Sequence, residues 1–240
     1  PKLWDAVRFE VDRRDEFGQF ILTGSSVPAD TSAISHTGTG RISRMLMRTM
    51  SLYESGESNG KVSLGKLFQG SAAITAVNKN TLEMLAFQIC RGGWPKALDC
   101  TQKVALRQAF DYVDAIAEAD LSRADGVSRD AERARRLMRS YARHIASQAK
   151  LETIRSDITA NSAETCSNDT LYSYLNALKS IFVIEDAPAW SPNLRSKTAI
   201  RSTDTRYYLD PSIGAAALGL GPGDLIQDLH TMGLLFENLC

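Results

Sequence analysis

Residues 131–145 constrain the fold most. Ala131, Ala134, Leu137, Met138, Tyr141, Ala142 and Ile145 fall at offsets 0, 3, 6, 7, 10, 11 and 14. Side chains spaced three and four apart share one face of an α-helix, so these seven form a continuous apolar stripe that has to be buried. A second predicted helix carries Leu151, Ile154 and Ile158. A third starts with Ser167 or Asn168 as its cap and turns Leu171, Tyr174, Leu175, Leu178 and Ile181 inward. The apolar run Phe182-Val-Ile-Glu185 follows, then a Pro/Trp turn, a basic loop and the strand Tyr207-Tyr-Leu209. Three helices, strand, basic loop, strand is the order of a winged helix-turn-helix.

Upstream the pattern changes. Trp4, Val7 and Val11 predict a helix over residues 2–14. The apolar run Gln19-Phe-Ile-Leu22 ends in Thr23-Gly-Ser-Ser26, as a parallel strand ends at the ligand-bearing edge of an α/β sheet. After a polar, glycine-rich stretch, Ile42, Met45 and Met47 mark a second strand. Ser51 and Glu54 are spaced as a capping box. Residues 55–80 read as a crossing loop. A helix from Thr81 to Cys90 is stopped by Gly92-Gly-Trp-Pro95, and an acidic helix runs from Leu106 to about Leu121.

Composition limits the function classes. Twenty-eight basic and 28 acidic residues cancel, so no global field draws the chain to nucleic acid or an anionic membrane; any such attraction is local. Cys90, Cys100, Cys166 and Cys240 are scattered without zinc-ligand spacing, which predicts free thiols and a cytoplasmic setting. No apolar run approaches the roughly 18 residues of a membrane span. Pro1 in front of an amphipathic run, and Cys240 inside an apolar one, predict a piece of a longer protein.

Several blocks together resemble a known family. Gly18-Gln-Phe-Ile-Leu-Thr-Gly-Ser-Ser26, Gly38-Thr-Gly-Arg41 and Met50-Ser-Leu-Tyr-Glu54 resemble the end of a bacterial and archaeal AAA-type ATPase domain. Arg91-Gly-Gly-Trp-Pro95, and Tyr174-Leu175 through Ala189-Trp-Ser-Pro192, resemble the domain of unknown function that follows it in that family. The resemblance implies that Thr23 and Ser25 stand at the sensor position that orients water at the γ-phosphate. It places Arg41, or failing it Arg44, where an arginine finger reaches a neighbouring subunit's nucleotide and neutralises charge on the phosphoryl oxygens. Glu237 resembles the first acid of a restriction-endonuclease-like domain. ATP and magnesium belong to the intact protein, and this chain by itself is expected to hold no cofactor or metal.

The departures from the family are as informative. No GxxxxGK[ST] loop occurs, and no apolar strand ends in Asp-Glu. Gly60-Lys-Val-Ser-Leu-Gly-Lys-Leu67 fits the spacing, but Leu67 stands where the magnesium-binding hydroxyl is needed.

The expected architecture is mainly α with minor β: a remnant of an α/β P-loop ATPase domain (1–60), a loop and helical linker (61–128), a winged helix (129–213) and the start of a third, nuclease-like domain (214–240). Double-stranded DNA is one expected partner, through Arg195, Lys197, Arg201 and Arg206 in the wing and Asn176 and Lys179 on the third helix. The outward face of that helix (Asp169, Tyr172, Ser173, Asn176, Lys179) is nearly neutral, and the arginines from Arg129 to Arg143 fit a solvated face. Protein docking and self-association therefore stand beside DNA binding. His36, His144 and His230 read as structural or exposed.

Overall fold

The computed structural model describes residues 2–24, 42–70, 75–160, 165–191, 197 and 202–240. It is mainly helical. The first helix, α1 (Lys2–Arg14), contributes nothing to the core; among the described residues every buried apolar side chain lies between Ala86 and Leu235. A short α2 (Leu64–Phe68) is followed by α3 (Leu82–Arg91), capped by the Thr81 hydroxyl, which accepts from the Met84 N–H at 3.3 Å. Next come α4 (Pro95–Leu98), opened by a proline at its first position, and α5 (Gln102–Ala115). A π-turn over Ile116–Asp120 leads from α5 into α6 (Leu121–Arg123).

The stripe at 131–145 behaves as its spacing requires. It forms α7 (Ala131–Arg143), in which Ala134, Leu137, Met138, Tyr141 and Ala142 are buried, with Ile145 buried just beyond its end. The helix α8 (Leu151–Thr159) buries Ile154 and Ile158. Ser167 is the cap of α9 (Asn168–Ser180), accepting from the Thr170 N–H at 3.1 Å, and Leu171, Tyr174, Leu175 and Leu178 point inward. The last turn closes with Val183 N–H on Leu178 C=O at 2.9 Å and Phe182 N–H on Lys179 C=O at 3.1 Å, which places Phe182 at φ +58°.

The two segments expected as short strands form no ladder; they meet at two isolated antiparallel bridges, Ile184–Tyr208 and Ala187–Thr205, in one register. A third segment joins them on the far side. Arg206 N–H donates to Ser147 C=O and Ala146 N–H donates to Arg206 C=O, both at 2.9 Å. Nothing in the polar sequence after α7 marked that pairing.

Two expectations need correction. No strand forms at 19–22 or 42–47: neither segment has a ladder partner among the described residues, and Ile21, Met45 and Met47 are 91%, 90% and 84% exposed. A strand exists only through its neighbours, and these two have none here. Ser51 and Glu54 do make the reciprocal capping hydrogen bonds, at 2.8 and 3.3 Å, but around a turn and not a helix.

The expected division at 213/214 falls within α10 (Pro211–Leu218). Ser212-Ile-Gly-Ala-Ala-Ala217 is small or apolar on every side, so it sits inside the body against α3, α5 and α7, with Ile213 fully buried. The final helices, α11 (Pro222–Gln227) and α12 (Leu229–Leu239), pack on α3 and α10. Nor does a gap open at 128/129. The Arg129 side chain is 1% exposed, donates to Leu121 C=O and Asp125 on one side and to Ser173 on the other, and lies over the Tyr174 ring. One apolar core runs from Ala86 to Leu235.

A single core predicts a single transition. Leu137→Ala in α7 and Leu225→Ala in α11 should each lower stability by about 2–5 kcal/mol, and both should shift the same urea transition. Two transitions, each sensitive to one substitution alone, would show separate domains.

Candidate functional site

The most fully built polar constellation joins the end of α3, the start of α10 and the strap over residues 50–57. The helix α3 ends because Gly92 turns to φ +73°; a Cβ there would lie 2.4 Å from both Asp210 Oδ1 and Ser212 Oγ. Gly93 is needed for a different reason. Its C=O accepts from Met50 N–H at 2.8 Å, and a Cβ would sit 2.1 Å from the Met50 carbonyl oxygen. Only glycine admits a backbone this close.

Asp210 ties the two helix ends together. It is 1% exposed; Oδ2 accepts Gly93 N–H at 2.8 Å, while Oδ1 accepts Ser212 N–H at 2.9 Å and its hydroxyl at 2.6 Å. Trp94 Nε1–H donates to Ser212 Oγ at 3.0 Å, and its ring packs on Tyr112 with centroids 4.9 Å apart. Beside this, the buried Arg91 grips Glu57 with two hydrogen bonds of 2.5 and 2.9 Å and donates from Nε to Gly92 C=O. Burial pushes the Glu57 carboxyl up, but the hydrogen bonds from Arg91 and Ser55 and the charge of Arg91 hold it below its usual 4.5.

A second polar centre surrounds Asp186. Its carboxylate, 4% exposed, accepts from the Tyr141 hydroxyl and pairs with Arg206 Nη1 and Lys179 Nζ, each at 2.7 Å. Arg206 also donates to Ala149 C=O at 3.3 Å. This centre forms part of the wall of a cleft of about 270 Å³, with Leu46, Phe182 and Asp204 on its rim. Arg48 reaches across to Glu185, its Nε 2.9 Å from Oε2.

The expected site residues fall in different surroundings. Arg206 is 7% exposed, and its guanidinium donates to Asp186 and Ala149. Lys179 is exposed but held by Asp186; Asn176 and Lys197 are exposed. Thr23 and Arg44 are exposed and belong to no cluster with one another, while Ser25, Arg41, Arg195, Arg201 and His36 lie outside the described residues.

Glu237 accepts from the Tyr207 hydroxyl at 2.6 Å, which with burial pushes that hydroxyl up to about 12. No group of three or more His, Cys, Asp or Glu among the described residues has the arrangement to hold a metal. His144 meets Asp157 at 3.2 Å and His230 is exposed. Along α7, Arg135 is occupied by Asp114, Glu118 and Glu132, and Arg143 by Asp157; Arg136 and Arg139 are exposed. The solvated-face reading of that run fits better than a row of phosphate contacts.

Sequence reading missed Asp210, Ser212, Glu57 and Asp186 as site residues. The one usable signal was Asp-Pro-Ser at 210–212, a helix cap followed by a first-position proline.

Residues 82–224 match the family model described as Domain of unknown function (DUF8612), and the chain belongs to that family. The matched span opens on α3 and includes both halves of the Asp210 junction. No curated protein and no solved structure matches the chain.

The junction carries two predictions. Asp210→Ala should cost about 1–3 kcal/mol for each of the Gly93 and Ser212 N–H groups left without an acceptor, and Gly93→Ala should cost about 1–3 kcal/mol through its clash with Met50. Wild-type stability in either variant would remove the junction from any structural role. The second concerns pH. A carboxylate held below its usual value contributes stability that is present above that value and lost as pH falls through the depressed one. Glu57→Gln should therefore be less stable than the parent at pH 7, and the difference should close as pH falls below about 4.5; a gap independent of pH would contradict the assignment.

Proposed function

We propose that this chain is part of an AAA-type ATPase, and that its helical body follows the nucleotide-binding domain as a module through which that domain acts on a protein target. The order of the resembling blocks supports the first half of this reading. So do the apolar segments at 20–22 and 42–47, whose spacing suits strands and whose neighbours would come from an α/β sheet. The antiparallel segments after α7–α9 suit a winged helix.

The observation that carries the coupling is the seam between the strap and the body. Met50 N–H on Gly93 C=O and Glu57 on Arg91 fasten the segment assigned to the ATPase end directly to α3. A displacement of the strap is thereby transmitted to α3 and, through Asp210, to α10. In this reading Thr23 and Ser25 orient water at the γ-phosphate, and Arg41 or Arg44 serves a neighbouring subunit. ATP and magnesium are bound by residues outside this sequence, and the chain alone performs no nucleotide chemistry.

A protein target is favoured over duplex DNA because Arg206 is buried, Lys179 is neutralised and the face of α9 is otherwise nearly neutral. Base reading would draw on Asn176 almost alone.

The ATPase half is tested in the longer protein by Arg41→Ala, which should lower turnover by about 10³-fold or more with nucleotide affinity retained; equal turnover moves the assignment to Arg44, and equal turnover there too refutes it. The target half is tested by titrating a labelled 20-base-pair duplex at two salt concentrations. The expected result is weak binding, with log K falling against log salt at a slope shallower than about −1, one phosphate contact or fewer. A slope of −3 or steeper would return the wing to DNA.

A further inference from the structure

We propose that the groove between α7, the α10–α11 turn and α12 is a docking site for an acidic amphipathic helix of a protein partner. The proposal stands whether or not the parent protein hydrolyses ATP. The groove measures about 380 Å³; half-buried Leu218, Leu220 and Leu234 supply its apolar surface above the buried Ile145, and Arg139 and Arg143 stand on one wall. Among the described residues no acidic side chain lines it. Arg139 is exposed and has no partner among the described residues, and Arg143 is 59% exposed although one of its nitrogens meets Asp157 at 3.2 Å.

Charge and shape select the occupant. Arg136, Arg139 and Arg143 recur at spacings of three and four along α7, and Arg136 is likewise exposed and unpaired among the described residues. They form a basic edge about 10 Å long at 1.5 Å per residue. A helix lying alongside presents carboxylates at the same spacing, i, i+3 or i+4, and i+7, with its leucine face in the groove. An extended peptide is not favoured, because α7 and α12 are helices and no strand edge lines the groove among the described residues.

Phosphates would satisfy the arginines and leave the leucines uncovered. A membrane surface needs projecting apolar side chains, and here the apolar side chains line a concavity.

The test uses this chain and two labelled peptides of about 18 residues, long enough for appreciable helix. Both have leucines at helical three–four spacing; one is flanked by glutamates and the other by lysines at the same positions. Fluorescence anisotropy should show saturable binding of the glutamate peptide at least about 10-fold tighter than the lysine peptide, weakening with salt. Arg136→Glu with Arg139→Glu should reverse that preference, and both side chains are exposed, so circular dichroism should be unchanged. Leu234→Asn, at a half-buried position, should weaken both peptides alike. Equal affinity for the two peptides, no saturation, or a preference unmoved by the charge reversal overturns the proposal. So does binding confined to a 20-base-pair duplex or to anionic phosphatidylglycerol vesicles run alongside.

Discussion

The carboxylate of Asp210 holds together parts of the chain that no apolar contact would orient. A polar group this buried is tolerated only when hydrogen bonds replace the water it has lost. Gly93 N–H, Ser212 N–H and the Ser212 hydroxyl do so, and they come from the C-terminal end of α3 and the N-terminal end of α10. The constraint propagates. With its first turn fixed, α10 enters the space between α3, α5 and α7, and Gly214 lets Leu235, Ile145 and Tyr208 close around it. Tyr208 then donates to Met138 C=O and meets Tyr141 edge-on, which sets the paired segments against α7. Apolar burial supplies most of the stabilisation, but the direction of α10 is a polar decision.

What the sequence made legible follows from periodicity. The helix α7 was readable because one face is apolar and the other is not, and α9 was readable from its cap and stripe. The helix α10 was not, because a helix surrounded on all sides has no contrast between faces, and its alanines and glycine resemble a domain boundary as readily as a core. The segments at 19–22 and 42–47 failed for the opposite reason: their apolar pattern describes what they would do beside a sheet, and the described residues supply none. Glycine gave a partial signal. Gly92-Gly93 announced a helix stop, yet nothing local showed that the second glycine was there to admit the backbone of Met50.

Arginine is where sequence reading was least informative. Arg91, Arg129, Arg206, Arg136 and Arg139 are chemically the same residue in similarly mixed surroundings, but the first three are enclosed by Glu57, Asp125 and Asp186, while the last two face solvent. The partners of Arg91 and Arg206 lie 34 and 20 residues away, beyond any local window. A formal charge of zero therefore conceals a separation: part of the positive charge is consumed inside the protein as a positioning device, while Arg136 and Arg139 on α7 stay exposed. Of the basic residues between 195 and 206, Arg206 is among those so enclosed.

The strap over residues 50–57 and the segment just before it are held unevenly. At its upstream part Arg48 meets Glu185 with both side chains well exposed, and ion pairs of that kind contribute about 0–1 kcal/mol. Further along, Met50 is bonded through its backbone to Gly93, and Glu57 is gripped by an arginine side chain only 6% exposed. Releasing Glu57 would strand a buried guanidinium, whereas releasing Arg48 strands nothing. The Arg48–Glu185 contact is therefore the looser fastening, and residues 50–57 are held to α3 the more firmly.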